Sequence, residues 1–201
     1  MNPLSEEKKI SDSLQKRILR ATFYFFLSSG ILAIGYAGYV FADSRIYEAT
    51  EIRKLEQAIP LTNPHPPAQG ETLGQILVPR LSINAIVIQG DSAANLRHGV
   101  AHLSNSPLPG ESGNVALAGH RDTFFRPLRD IRIGDRVIFK TTSRSFEYIV
   151  ESTQVVSPTD LSVLDASSGH QLTLLTCFPF YYVGPAPKRF VVHARELDSI
   201  P

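Results

Sequence analysis

IGDRVIFKTTSRSFEYIV, residues 133–150, decides the fold class. Ile133-Gly134-Asp135 turns the chain into the short run VIFK, Thr142-Ser143-Arg144 supplies a polar turn, and Phe146–Val150 resumes a run rich in β-branched and aromatic residues. Two such runs joined by turn residues predict an antiparallel hairpin. Working outward, QILVP, NAIVIQ and NVALAG precede this stretch, while TQVVS, QLTLLTC and RFVVHA follow it. With DRVIFK and SFEYIVE they make about eight strands, a mainly β domain beginning near Leu73. Short strands in that number imply a closed barrel or a sandwich, since either hides the strand edges. Helical signals are sparse. Asp91 or Ser92 caps a small helix through Leu96, and Pro158 to Leu164 suggests one further turn.

The N-terminal part has a different character. Ala21 to Ala42 reads ATFYFFLSSGILAIGYAGYVFA, 22 residues without a charge. At about 1.5 Å per residue that run spans a ~30 Å hydrocarbon layer. Its length exceeds the ~7–15 residue apolar region of a cleaved signal peptide, although Val40-Phe41-Ala42 resembles a cleavage site. Lys8, Lys9, Lys16, Arg17 and Arg20 lie before it and only Asp43 and Arg45 follow closely. The positive-inside bias then keeps the N-terminus in the cytoplasm and sends everything after Asp43 outside. Ile46, Ala49, Ile52, Leu55 and Ile59 fall near helical spacing, and PLTNPHPPAQG, residues 60–70, reads as a semi-rigid spacer. The expected organisation is a cytoplasmic segment (1–20), a transmembrane helix (21–42), a juxtamembrane helix and spacer (43–72) and a β domain (73–201).

The formal charge of +1 comes from 20 basic and 19 acidic residues with no sustained basic stripe, so nucleic acid is not an expected partner. One cysteine, Cys177, excludes an intrachain disulfide. Taken alone, such a thiol reads most simply as a small buried hydrophobe. Its surroundings change the reading. TLLTC ends a strand and Phe178-Pro179 follows, which leaves the thiol at a strand end. GNVALAGH places His120 just after another apolar strand, at the rim of a sheet. Arg189 opens the last strand after the turn-rich loop FPFYYVGPAPK, so Cys177 and Arg189 can sit on adjacent strands. A cysteine attacks as thiolate, an imidazole shuttles a proton to a leaving amine, and a guanidinium stabilises an oxyanion.

His193 shares a face with Arg189 and is a rival base, but four residues along a strand places it ~13 Å away. His98, His102 and His170 show no paired metal-ligand spacing and are expected at the solvent-exposed surface; no metal or cofactor is implied. Asp122, two residues after His120, reads as a turn residue and not as part of the catalytic set.

GHRDT (119–123), TLLTC (173–177) and RFVV (189–192), in this order, resemble the signature of sortases, and the likeness runs from about Leu73 to Glu196, including LPGESGNVALAGH and IGDRV. The resemblance implies a closed eight-stranded β-barrel with short helices, a membrane-anchored cysteine transpeptidase, and His120, Cys177 and Arg189 as catalytic residues. No Asp-Pro-aromatic lid motif precedes the domain and no second apolar span follows Arg195, so class D is the better match than class C. The implied partners are a surface protein with an LPxTG-like C-terminal signal and an amine acceptor, either a cell-wall peptide or a protein lysine. The recognition surface is expected to include the loop from Ser152 to His170. A cysteine hydrolase or an L,D-transpeptidase uses similar groups, but the latter's Ser-His-Gly-Cys motif is missing. A non-catalytic tethered binding domain would make the three residues a coincidence.

Overall fold

The computed structural model describes residues 17, 19–20, 22–39, 66–165 and 169–197. The chain divides into two compact units, Met1–Arg45 and Ile46–Pro201.

In the first unit residues 22–39 are helical, here α1. Its large apolar side chains are exposed on every side, Phe23, Tyr24, Phe25, Phe26, Ile31, Leu32, Ile34, Tyr36 and Tyr39 among them. Among the described residues no helix is long and apolar enough to cross a membrane. Residues 21 and 40–42 of the expected span, and the juxtamembrane helix expected over 44–59, lie outside the described residues.

Among the described residues the second unit contains eight strands: β1 (Thr72–Val78), β2 (Ile83–Gln89), β3 (Val100–His102), β4 (Gly113–Gly119), β5 (Arg136–Lys140), β6 (Ser145–Val156), β7 (His170–Phe178) and β8 (Lys188–Glu196). They close into a barrel in the order β1-β2-β3-β4-β7-β8-β6-β5, with β5 returning to β1. Pairing is antiparallel except at β2–β3 and β4–β7. Alternation along each strand drives closure: Ile76 and Val78, Val115 and Leu117, Val137 and Phe139, Leu172 and Leu174, Val192 and Ala194 all point into one buried core. Burying each of the larger ones contributes about 1.5–3 kcal/mol, and closure removes the exposed ladders at the sheet edges.

The expected hairpin is β5–β6, with Phe139 opposite Phe146, and Gly134 takes a positive φ of 88° in the turn before β5. The count of eight strands holds, but two assignments within it change. SFEYIVE and TQVVS are one strand, β6, which continues through an irregularity between Val150 and Ser152. Beyond Tyr148 and Ile149 it has only β8 as a neighbour, so residues 151–155 are exposed and mostly polar, which imitates a loop in the sequence. The eighth strand is β3, only three residues long and too short to show alternation. The expected recognition loop therefore begins after Val156 and not at Ser152.

The small helix is α2 (Ala93–His98), capped by Ser92, whose hydroxyl oxygen accepts from the Asn95 amide at 3.2 Å. The expected turn after Pro158 is a single 3-10 turn at Ser162–Leu164. A second 3-10 turn, Arg126–Asp130, buries Leu128 against the core beside Phe125.

Candidate active site

The parallel pairing of β4 with β7 brings the C-terminal ends of both strands to the same rim of the barrel. Gly119 pairs with Thr176, so His120 follows β4 at the level where Cys177 lies in β7. β8 is antiparallel to β7 and starts at that rim, with Arg189 directly opposite Cys177. Three residues far apart in the sequence are thus brought to neighbouring strand ends. His120 is exposed, Cys177 and Arg189 are half-buried, and the thiol is free. A peptide can approach such a sulfur from solvent.

Alternation separates the two faces at this rim. Thr176, Phe178 and Phe190 belong to the inner face, Cys177 and Arg189 to the outer. Phe178, next to Cys177 in sequence, stacks on Phe190 (6.3 Å between centroids, 25°), and Phe180 meets Phe190 edge-on at 5.3 Å. Phe180 and Phe190 pack against the core. The aromatic group therefore closes the barrel end behind the Cys177–Arg189 pair.

Two contacts fix the rim. The Thr176 hydroxyl, buried, donates to the Gly119 carbonyl at 2.7 Å and ties the cysteine strand to the residue before His120. A Cβ on Gly119 would lie 2.7 Å from the buried ring of Phe125, so only glycine lets the two approach. The Phe125 amide in turn donates to the His120 carbonyl at 3.0 Å. Arg121 reaches the β7–β8 connection, where its Nη2 donates to the carbonyls of Tyr182 (2.6 Å) and Gly184 (2.9 Å). Its guanidinium also lies 5.9 Å from the centre of the Tyr182 ring. Arg129 holds the same connection through Tyr181, its Nη1 donating to the phenol oxygen at 2.6 Å.

Arg189 Nη1 donates to the carbonyls of Ala186 (3.4 Å) and Lys188 (3.1 Å), which turns that edge of the guanidinium toward its own loop. Asp122 lies in an exposed turn.

The remaining histidines separate. His102, expected at the exposed surface, is buried, because three-residue β3 is an inner strand of the barrel. Its Nδ1 lies 2.7 Å from Gln89 Oε1 and its Nε2 2.9 Å from the Pro107 carbonyl. Burial lowers its pKa, with the Pro107 carbonyl and Glu111 opposing. His98 is half-buried, and His170 is exposed as expected. His193 lies on the outer face of β8, opposite Thr173, and burial lowers its pKa too. Among the described residues no group of histidine, cysteine and carboxylate side chains could hold a metal ion.

A sortase domain model matches residues 76–197, which takes in every strand from the middle of β1 to the end of β8. The chain belongs to the sortase family. It is similar to Sortase D of Bacillus subtilis (strain 168), 28% identical over 86% of this chain and 96% of that protein. Its fold matches a solved Clostridium perfringens Sortase D5 transpeptidase at a TM-score of 0.59, with 24% identity, covering 75% of this chain and 89% of the other. Sortase A of Listeria monocytogenes matches at 0.57 with 29% identity, covering 63% of this chain and 88% of that structure. Sortases are cysteine transpeptidases, and this sortase is an enzyme of that class, with its one thiol at the barrel rim.

Proposed function

We propose that this sortase is anchored in the cytoplasmic membrane by its N-terminal apolar run, with the barrel outside. In this reading it cuts an LPxTG-like signal on a surface protein and joins the product to an amine. What carries the site assignment is the register: Arg189 opposite Cys177, and Gly119 opposite Thr176, so that residues 120, 177 and 189 share one rim.

In the first step the Cys177 sulfur attacks the carbonyl carbon after the threonine of the signal. As the C–N bond breaks, protonated His120 gives its proton to the departing amine, and a thioester remains. In the second step the acceptor amine attacks the thioester, His120 takes its proton, and the sulfur leaves as thiolate. Arg189 has five N–H donors, and its contacts to Ala186 and Lys188 use Nη1 alone. Other donors of the fork are available to hold the substrate or the oxyanion that develops in both steps.

The anchor rests on a run of 22 uncharged residues, 21–42, that contains α1, and on apolar side chains exposed all round that helix. Basic residues concentrated before it orient the N-terminus inward.

The test uses the full chain in detergent with a Leu-Pro-Asn-Thr-Gly peptide and glycinamide. Mass spectrometry should find an acyl adduct on Cys177 and a glycinamide-linked product, and Cys177→Ala should give neither. An unmodified Cys177 during turnover, or turnover by Cys177→Ala, would exclude the assignment.

A further inference from the structure

On the outer face of the barrel, away from the thiol, four side chains from four adjacent strands form one continuous chain of hydrogen bonds. The Thr173 hydroxyl in β7 donates to Asn114 Oδ1 in β4 at 2.7 Å. Having given away its only proton, it can only accept from His193 Nδ1 in β8, 3.0 Å distant. Neutral His193 therefore carries its proton on Nδ1, and its Nε2 accepts from Gln154 Nε2 in β6 at 3.0 Å. At the other end Asn114 Nδ2 donates to the carbonyls of Val163 and Asp165, each at 3.3 Å. The opposite amide orientation would set an oxygen against two carbonyl oxygens. Every donor thus points the same way, from Gln154 through His193, Thr173 and Asn114 to the connection between β6 and β7.

An apolar seat would hold that connection with no polar side chain to satisfy. Instead Thr173 and Asn114 are almost wholly buried, and Val163 is buried with them. A directional chain of this kind holds one placement of the two carbonyls, because any slip leaves buried polar groups unpaired. Thr173 and Cys177 lie on the same face of β7, four residues or ~13 Å apart. Leu175 stands between them, half-buried, with Ala118 beside it in β4. An extended peptide of about four residues covers that distance. The tethered connection stands at the far end of the strip that leads to the nucleophile.

We propose that Asn114, Thr173 and His193 are positioning residues for the peptide substrate. They hold the segment Val163–Asp165 as the wall against which the part of the signal preceding the scissile bond binds. This rests on the transpeptidase reading above for its substrate. The three residues act on substrate affinity and leave the chemical step at Cys177 unaltered.

The experiment compares the full-length wild type with Thr173→Val and Thr173→Ser in detergent, using the Leu-Pro-Asn-Thr-Gly peptide with glycinamide, and follows amide hydrogen exchange at residues 162–165. Thr173→Val keeps the shape and removes both bonds. It should raise KM for the peptide about fivefold or more with kcat within about twofold, and speed exchange at residues 162–165 about fivefold. Thr173→Ser should restore both. Unchanged exchange, or a fall in kcat at constant KM, overturns the proposal. If the wild type does not turn this peptide over, the substrate reading fails for it, while exchange at 162–165 still decides whether the chain of donors holds the wall. Should Thr173→Val not fold, Asn114→Ala, which removes only the last donors, takes its place: a raised KM with faster exchange supports the proposal, and unchanged exchange or a fall in kcat alone overturns it.

Discussion

Arg189 faces Cys177 through a cross-strand pair, and its planar fork can hold a loop carbonyl and a substrate oxygen at once. A lysine there presents a single ammonium on a flexible stem. Arg189→Lys should therefore lower kcat/KM by about 100- to 1,000-fold, the range found on losing an oxyanion donor. Steady-state kinetics with the same peptide checks this, and near-wild-type turnover would contradict the assigned role. At this scale the sequence placed His120, Cys177 and Arg189 at strand ends, and the register brings those ends to one rim. It was silent on Thr176 and Arg121, whose roles depend on partners 57 and 61–63 residues away. His102 defeats a sequence reading because burial is a property of the strand it occupies, and that strand is too short to reveal itself.

Among the elements, the β7–β8 connection depends most visibly on single contacts. Arg121 donates to two of its carbonyls and lies near the Tyr182 ring, while Val183 beside them is 95% exposed. Arg121→Ala should cost the closed connection about 1 kcal/mol after allowance for solvent screening, roughly a fivefold faster local opening. Hydrogen exchange at residues 181–184 measures it; unchanged rates would mean that Arg129 and Tyr181 suffice. Element type was legible from alternation, and the β5–β6 hairpin from its turn residues. Element ends were not. β6 runs past its β5 partner into solvent, so its polar half has the composition of a loop while keeping the backbone of a strand.

For the molecule as a whole, buried titrating groups set the acid response. His102, among Gln89, Ser106, Pro107 and Glu111, and His193, between Thr173 and Gln154, both have pKa values lowered by burial. The unfolded chain binds a proton at each near pH ~6.5 and the folded chain does not, so stability is present above that pH and declines as pH falls through it. Asp135 behaves in the same sense at lower pH: hydrogen bonds from Arg80 hold its carboxyl below the usual range, and its contribution goes as pH falls below ~4. Thermal melts should show a plateau above about pH 7, a first decline as pH falls below about 6.5 and a second below about pH 4. His102→Gln should shrink the first step alone. A single decline near pH 4 would show that the histidines do not contribute. Barrel closure was within reach of the sequence as one of two solutions for eight short strands. The strand order was not, because it depends on long-range pairing that no local pattern encodes.

That order carries a consequence for biosynthesis. β8, the last strand to leave the ribosome, lies between β7 and β6, and it also brings Arg189 to the rim. A nascent polypeptide halted before residue 188 lacks the keystone of its wall as well as Arg189, so the barrel cannot close, nor the proposed site assemble, until β8 has emerged.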